Sequence, residues 1–446
     1  MNRTVDVLVV GAGPAGLAAA ERLAAAGAGR VEVLERERAA GGVPRHCAHA
    51  GFGADGRGRA LFGPAYARRA VRAAVRAGAA VRTGVSATGW AGPLTLDVTA
   101  PTGLERITAR AVLLATGARE RPRSARLVPG TRPAGVMTTG ELQQAVALFG
   151  QRVGRRAVVV GGEPVARRAV EVLRAAGAEV AAVVTDLPRT PPGFGTAPVL
   201  TGATVTELLG RGRLTGVAVR TADGRSLVLR GDTVVFTGDW IPDHELARAG
   251  GLALAPGTRG PLTDEAFRTS VPGVFAAGNL LHGAEPARVA EAEGRAAAGA
   301  VLDALAGRST PAASVTVTVE GPLRWVTPGL LGAGSGAGIG PGVGPGFGAG
   351  VGPGSAPGIG PGSGAGIGPG SGAGIGPGSG AGIAPLLVRP GLPLTRPVLT
   401  VTQGDALVRR ERLPANLVPW RSARLGPAWT RGLDPAGGPV VVRAEA

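Results

Sequence analysis

Three glycines, Gly11, Gly13 and Gly16, follow the apolar run Val5–Val10 at the spacing of a turn that wraps a dinucleotide pyrophosphate. Gly11 permits the tight turn out of a strand, and Gly13 lets backbone approach a phosphate. Gly16 lets the next helix pack closely on that strand. Pro14 and Ala15 open the helix, whose free N–H groups and positive dipole end suit an anion. A second apolar segment, Arg30 to Leu34, ends at Glu35, nineteen residues beyond Gly16, with Arg36 next. A carboxylate there accepts hydrogen bonds from both ribose hydroxyls. The chemistry is nucleotide binding, and the residues for it are Gly11, Gly13, Pro14, Ala15, Gly16, Glu35 and Arg36.

Arg45-His46-Cys47-Ala48-His49 comes directly after the turn Gly41-Gly42. His46, Cys47 and His49 are candidates for acid–base work or for polarising a substrate near neutral pH. The competing reading is a loop that packs on a cofactor and does no chemistry. Cys47 is the single cysteine, which excludes an internal disulfide, a redox cysteine pair and an all-cysteine iron–sulfur cluster on this chain. The four histidines lack metal-ligand spacing, so no metal site is expected. Trp240 and His244 either cover the cofactor, face a partner or serve ordinary packing.

A second strand-and-turn unit begins at Arg156 and reads Gly161-Gly162-Glu163-Pro164-Val165-Ala166. Glu163 stands at the position of the second glycine, where its Cβ and its charge both oppose a phosphate. The next strand ends Val183-Val184-Thr185-Asp186, with no clear acid in register and no adjacent arginine for a 2′-phosphate. The unit is either an altered NAD(P)H site, carried by Gly161, Gly162, Glu163 and Ala166, or a retained scaffold.

Holding these groups requires an α/β chain with two Rossmann-like dinucleotide-binding domains. Residues 1–118 and 235–310 are expected to form the first, discontinuous domain, with 119–234 inserted in it. Residues 311–328 and 385–446 read as a small C-terminal β domain. It is interrupted by a Gly/Pro-rich low-complexity linker, 329–384, expected to be disordered because it has little side chain to bury. Within 1–118, a β meander over Thr95 to Thr108 and a separate buried strand, Ala111 to Ala115, are expected. The formal charge is +17, but every basic residue is arginine and these are scattered over helices with few aromatics between them. That pattern reads as GC-rich codon bias and argues against a nucleic-acid groove. No run of eighteen apolar residues occurs and the first strand starts at once, so a cytoplasmic protein without a membrane span or signal peptide is expected.

Three further segments, Gly41-Gly42, Ala115-Thr116-Gly117 and Gly278-Asn279, each read as an ordinary strand-end turn. In this order they fit one flavin. The chain over residues 5–306 resembles the two-dinucleotide-binding-domain flavoproteins, alongside the pyridine nucleotide-disulfide oxidoreductases. The pieces VPRHCAHAGFG, LFGPAYA, ATGARERPR, PAGVMTTGELQ and FTGDWIPDHELA are similar to a narrower group. That group holds the FAD-binding subunits of opine oxidases and hydrogen cyanide synthase, and flavoproteins paired with glycerol-3-phosphate dehydrogenases. The resemblance implies FAD held by Gly11, Gly13, Gly16, Glu35, Gly42, Thr116, Gly117, Gly278 and Asn279, with Asn279 where the group has an acid. It implies an FAD-dependent oxidoreductase that passes a hydride through flavin N5, between a small substrate or NAD(P)H and an acceptor. The alternative is a non-catalytic or electron-relay member of a heteromeric dehydrogenase. The cysteine-rich C-terminal module of opine-oxidase-like relatives is replaced here by the β tail, so electrons would leave through a second dehydrogenase chain or a soluble acceptor.

Overall fold

The computed structural model describes residues 2–283, 285–308, 314–332, 386–434 and 436–445. Most of the Gly/Pro-rich tract, 333–385, lies outside the described residues.

Strand Asn2–Val10 runs parallel to Val31–Glu35 on one side and to Gly103–Leu114 on the other. Its continuous buried run from Val7 to Val10 suits a sheet covered on both faces. Ala80–Thr83 extends the sheet beyond Val31–Glu35, and Val274–Ala276 pairs in parallel with the end of Gly103–Leu114. Register then places the site. Val10 lies beside Leu34 and Leu114, and Leu114 beside Ala276, so the loops leaving at Gly11, Glu35, Ala115 and Ala277 open at one edge. The carboxyl ends of parallel strands are where such sheets receive ligands.

Helix Pro14–Ala25 buries Ala15 to Ala20 and Leu23, and its small side chains let the helix Ala287–Leu305 approach to backbone contact. A Cβ on Gly294 would stand 2.0 Å from the Ala15 carbonyl oxygen. Gly103–Leu114 is one strand of 12 residues, not a meander arm followed by a separate strand. Its first half alternates exposed and buried residues, whereas its last four are all buried. The change of period made one strand look like two.

The second parallel sheet runs Val136–Thr138, Thr233–Phe236, Arg156–Val160, Glu179–Val184, Val199–Leu200. Two short antiparallel strands, Ala118–Glu120 and Trp240–Pro242, lie where the chain leaves and re-enters the first sheet. C-terminal to these, Leu330–Gly332, Ser314–Glu320, Val440–Glu445, Val398–Gln403 and Ala406–Arg412 form one sheet. Leu323–Thr327, Leu386–Pro390 and Ala423–Leu425 form another. The two share a core that includes Val317, Val326, Val388, Leu399, Trp429 and Val442. Leu330–Gly332 falls at the start of the low-complexity tract, yet pairs as a strand, with two consecutive apolar side chains, Leu330 and Leu331, where the following repeats space single apolar residues between glycines and prolines. The sheet is tied to the first unit where Leu330 N–H donates to Thr263 O (3.2 Å) and Gly332 N–H to Glu265 Oε2 (2.8 Å).

Candidate flavin site

Each glycine of the first turn has a distinct steric reason. Gly11 has φ +107°, and a Cβ there would lie 2.4 Å from Ala115 O. A Cβ on Gly16 would lie 1.9 Å from Gly11 O, so only glycine lets the helix seat. Gly13 differs: its backbone is ordinary (φ −84°, ψ −173°), and among the described residues nothing lies within 4 Å of a Cβ built on it. The protein itself therefore does not require glycine there. Open space beside backbone N–H groups at a helix start is a phosphate cradle.

Glu35 closes one end of that cradle. Its carboxylate accepts from Ala12 N–H (3.3 Å) and Glu37 N–H (2.9 Å), while burial pushes its pKa up. Arg36 reaches Asp243 at 3.5 Å. Gly42 has φ +61° and lies against Gly13, where a Cβ would come within 2.8 Å of Gly13 Cα. Thr116 donates its hydroxyl to Asp243 O (2.7 Å), and Gly117 O accepts from Asp243 N–H (2.9 Å), which pins the crossing segment to the return connection. Gly278 has φ +77° and packs on Ala15, and its N–H donates to Glu293 Oε2 (3.0 Å). The Asn279 amide is used at both ends: Nδ2 donates to Glu285 O (3.1 Å) and Oδ1 accepts from Glu285 N–H (3.0 Å).

His46, Cys47 and His49 line the same cleft as Gly13, Glu35, Thr116 and Asn279, a cavity of about 4020 Å³. Burial drives the His46 pKa down to about 4, with Glu37 opposing and Arg45 assisting, so the ring is neutral near pH 7. Its Nδ1 is buried without a hydrogen-bond partner among the described residues. The Cys47 thiol lies 3.4 Å from Val43 O and 3.5 Å from Gln143 Oε1, and burial pushes its pKa up to about 12. A thiol that stays protonated is not a nucleophile. His49 Nδ1 lies 2.7 Å from Ala50 O, and burial lowers its pKa too. Trp240 lines the cleft, whereas the His244 ring contacts Arg259 O.

Sequence reasoning missed the cleft's other wall. Trp325 and Arg389 of the C-terminal strands, with Trp420 and Trp429 from the turns between them, line it. Arg389 is buried, pairs with Glu285, and stacks its guanidinium over Trp325 at 4.8 Å. Trp325 in turn stacks on His282 (5.8 Å), whose Nε2 lies 2.8 Å from Glu293 Oε1. A polar chain thus runs from the β sheets to the Gly278 turn. An arginine inside the apolar strand Leu-Leu-Val-Arg-Pro was the available signal, since a buried charge requires a partner. Glu120 was missed as well. It accepts from Gly140 N–H (2.8 Å) and Gly238 N–H (3.2 Å), and burial pushes its pKa up to about 7.

The second turn repeats the backbone of the first. Gly161 N–H donates to Val184 O (2.8 Å) as Gly11 N–H donates to Leu34 O (2.9 Å), so Thr185 stands where Glu35 stands. Glu163 has φ −81° and ψ 170°, close to the conformation of Gly13. Its side chain turns back, and Oε2 accepts from Gly162 N–H (3.0 Å). A Cβ on Gly162 would meet Leu187 Cδ1 at 2.8 Å and Pro191 Cγ at 3.2 Å.

Residues 5–294 match the pyridine nucleotide-disulphide oxidoreductase family. The chain belongs to that family. It is 30% identical over 353 residues to an opine oxidase subunit of Agrobacterium tumefaciens (strain Ach5), across 70% of this chain and 68% of that protein. The corresponding opine oxidase subunit of Rhizobium meliloti is 30% identical over 341 residues, across 67% of this chain and 62% of its own length. The chain thus spans about two thirds of the length of these relatives. The fold is shared with the thioredoxin reductase of T. acidophilum (TM-score 0.54, 24% identity, 67% of this chain and 98% of that one). This family member is an FAD-dependent oxidoreductase of α/β fold, and the open cradle at Gly13 fits FAD. Among the described residues no helix is long and apolar enough to cross a membrane, and no cluster of His, Cys, Asp and Glu is arranged to hold a metal ion.

Proposed function

We propose that the family member takes electrons from a small organic donor in the cleft and hands them to a separate acceptor. The observation that carries this reading is the shared cavity. The first turn, the loop His46–His49 and the aromatic wall of the β sheets all face it. Gly11, Gly13, Pro14, Ala15 and Gly16 would hold the FAD pyrophosphate, and Glu35 the ribose hydroxyls, with Arg36 beside them. Gly42, Thr116, Gly117, Gly278 and Asn279 would border the remainder. Bound FAD supplies the hydride-accepting chemistry. His46 enters neutral, so it orients a substrate or receives a proton rather than delivering one. Cys47 contributes a thiol contact without attacking. With a single cysteine, the chain has no cysteine pair for reducing disulfides. The test is reconstitution with FAD, followed by anaerobic mixing with amine, amino-acid-derived and polyol-phosphate donors while the flavin absorbance is followed. A donor that bleaches the flavin is the expected result. Protein that retains no FAD overturns the reading.

The names of the relatives, each a subunit of an opine oxidase, favour a second reading, a flavin-bearing member of a heteromeric dehydrogenase. It expects co-purification with a second dehydrogenase chain and no turnover alone. A turnover-competent single chain counts against it.

A further inference from the structure

We infer that the second dinucleotide turn is closed by its own Glu163 carboxylate and takes neither NADH nor NADPH, leaving the inserted unit as a fixed wall of the cleft. Three contacts carry this. Glu163 folds back on its own turn, its Oε2 accepting from Gly162 N–H at 3.0 Å, whereas the equivalent Ala12 N–H of the first turn is held by Glu35 and leaves the space beside Gly13 open. Glu163 Oε1 is shut off from solvent beside Gly238, where a Cβ would stand 2.8 Å from it. Leu187 and Pro191 cover Gly162 from the other side. The ribose end is missing as well, because Thr185 replaces a Glu35-like carboxylate and its hydroxyl accepts from Leu187 N–H (3.3 Å).

Protonation does not reopen the turn. Burial pushes the Glu163 pKa up, so the group is more readily neutralised than an exposed glutamate. A neutral carboxyl still accepts from Gly162 N–H and still fills the space. Ionised, it would also repel a pyrophosphate at contact distance. The second turn therefore lacks the open space that the first turn keeps beside Gly13.

The test uses the full FAD-loaded chain and reads binding rather than reduction, so it is independent of which donor the first site serves. NADH and NADPH, together with redox-inert ADP-ribose, are titrated against wild type and Glu163→Gly by calorimetry and nucleotide fluorescence. Wild type is expected to show no saturable binding up to about 1 mM. Glu163→Gly is expected to gain affinity for ADP-ribose by at least about tenfold. Glu163→Ala, which also removes the carboxylate, serves if the glycine variant does not fold, and an unchanged FAD content reports an intact first unit. Micromolar binding of either nicotinamide nucleotide by wild type overturns the inference. So does a folded carboxylate-free variant with no gain, because closure would then not reside in Glu163.

Discussion

The two dinucleotide turns have nearly the same backbone and opposite use of it. Gly13 and Glu163 differ little in φ and ψ, and each follows a strand whose neighbour accepts the same hydrogen bond from the turn's first glycine. The side chain of Glu163 separates them, together with Thr185 in place of Glu35 and the cover of Leu187 and Pro191 over Gly162. At Gly13 the turn faces empty space, whereas at Glu163 it hydrogen-bonds to itself. A shared fold therefore does not transmit a binding site; the groups left unpaired at the strand ends do.

The most forceful way to break this comparison is to copy the second turn into the first. Gly13→Glu should weaken FAD binding by at least about a thousandfold, or ~4 kcal/mol. The melting temperature of the apoprotein should stay close to wild type, since among the described residues nothing lies within 4 Å of a Cβ built there. A variant that keeps stoichiometric flavin would show that Glu163 need not close its own turn.

The first turn is also supported from the β sheets, through Arg389, Glu285, Trp325 and His282. Arg389→Met leaves Glu285 buried without its partner and should cost about 3 kcal/mol in denaturant unfolding. FAD should be lost alongside, because the Gly278 turn is held by the same chain of contacts.

Glu120 sharpens the contrast at the connection between the units. Its carboxyl titrates near 7 when folded against an ordinary 4.5, mainly because burial disfavours the charge. The folded state therefore holds the proton more tightly. The contribution to stability is full below about pH 4.5 and disappears as pH rises through about 7. Unfolding at pH 5 and pH 8 should differ by about 2 kcal/mol more in wild type than in Glu120→Gln.

The smallest effect is expected at the ribose end. Glu35→Gln keeps the shape and an acceptor but removes the charge, so FAD should bind about tenfold more weakly by titration. No comparable change in any nucleotide's binding should follow Thr185→Val in the second unit.

Much of the frame was legible from periodicity. Apolar runs marked the strand before Gly11 and the one that begins at Arg156, and glycine spacing marked the turns between strand and helix. Legibility failed where a strand changed environment along its length, as in Gly103–Leu114, and where partners came from distant segments. Arg389 and Glu285 are 104 residues apart, and nothing local in either marks the other. His46 and Cys47 were visible as reactive types, but their protonation is set by burial, which residue type does not reveal.

Residue order alone specified the first nucleotide turn, because backbone sterics at Gly11 and Gly16 follow from local chain geometry and the absence of a Cβ. It also showed that one cysteine cannot make a redox pair. Whether Glu163 merely crowds a phosphate or replaces it depended on where its carboxylate goes, and that is set by Gly162 in its own turn and by Gly238 from a distant segment. The closing of the cleft by Trp325 and Arg389 likewise required the β sheets to dock. Side-chain direction, burial and charge compensation are properties of packed neighbours, and those neighbours meet only when the chain is folded.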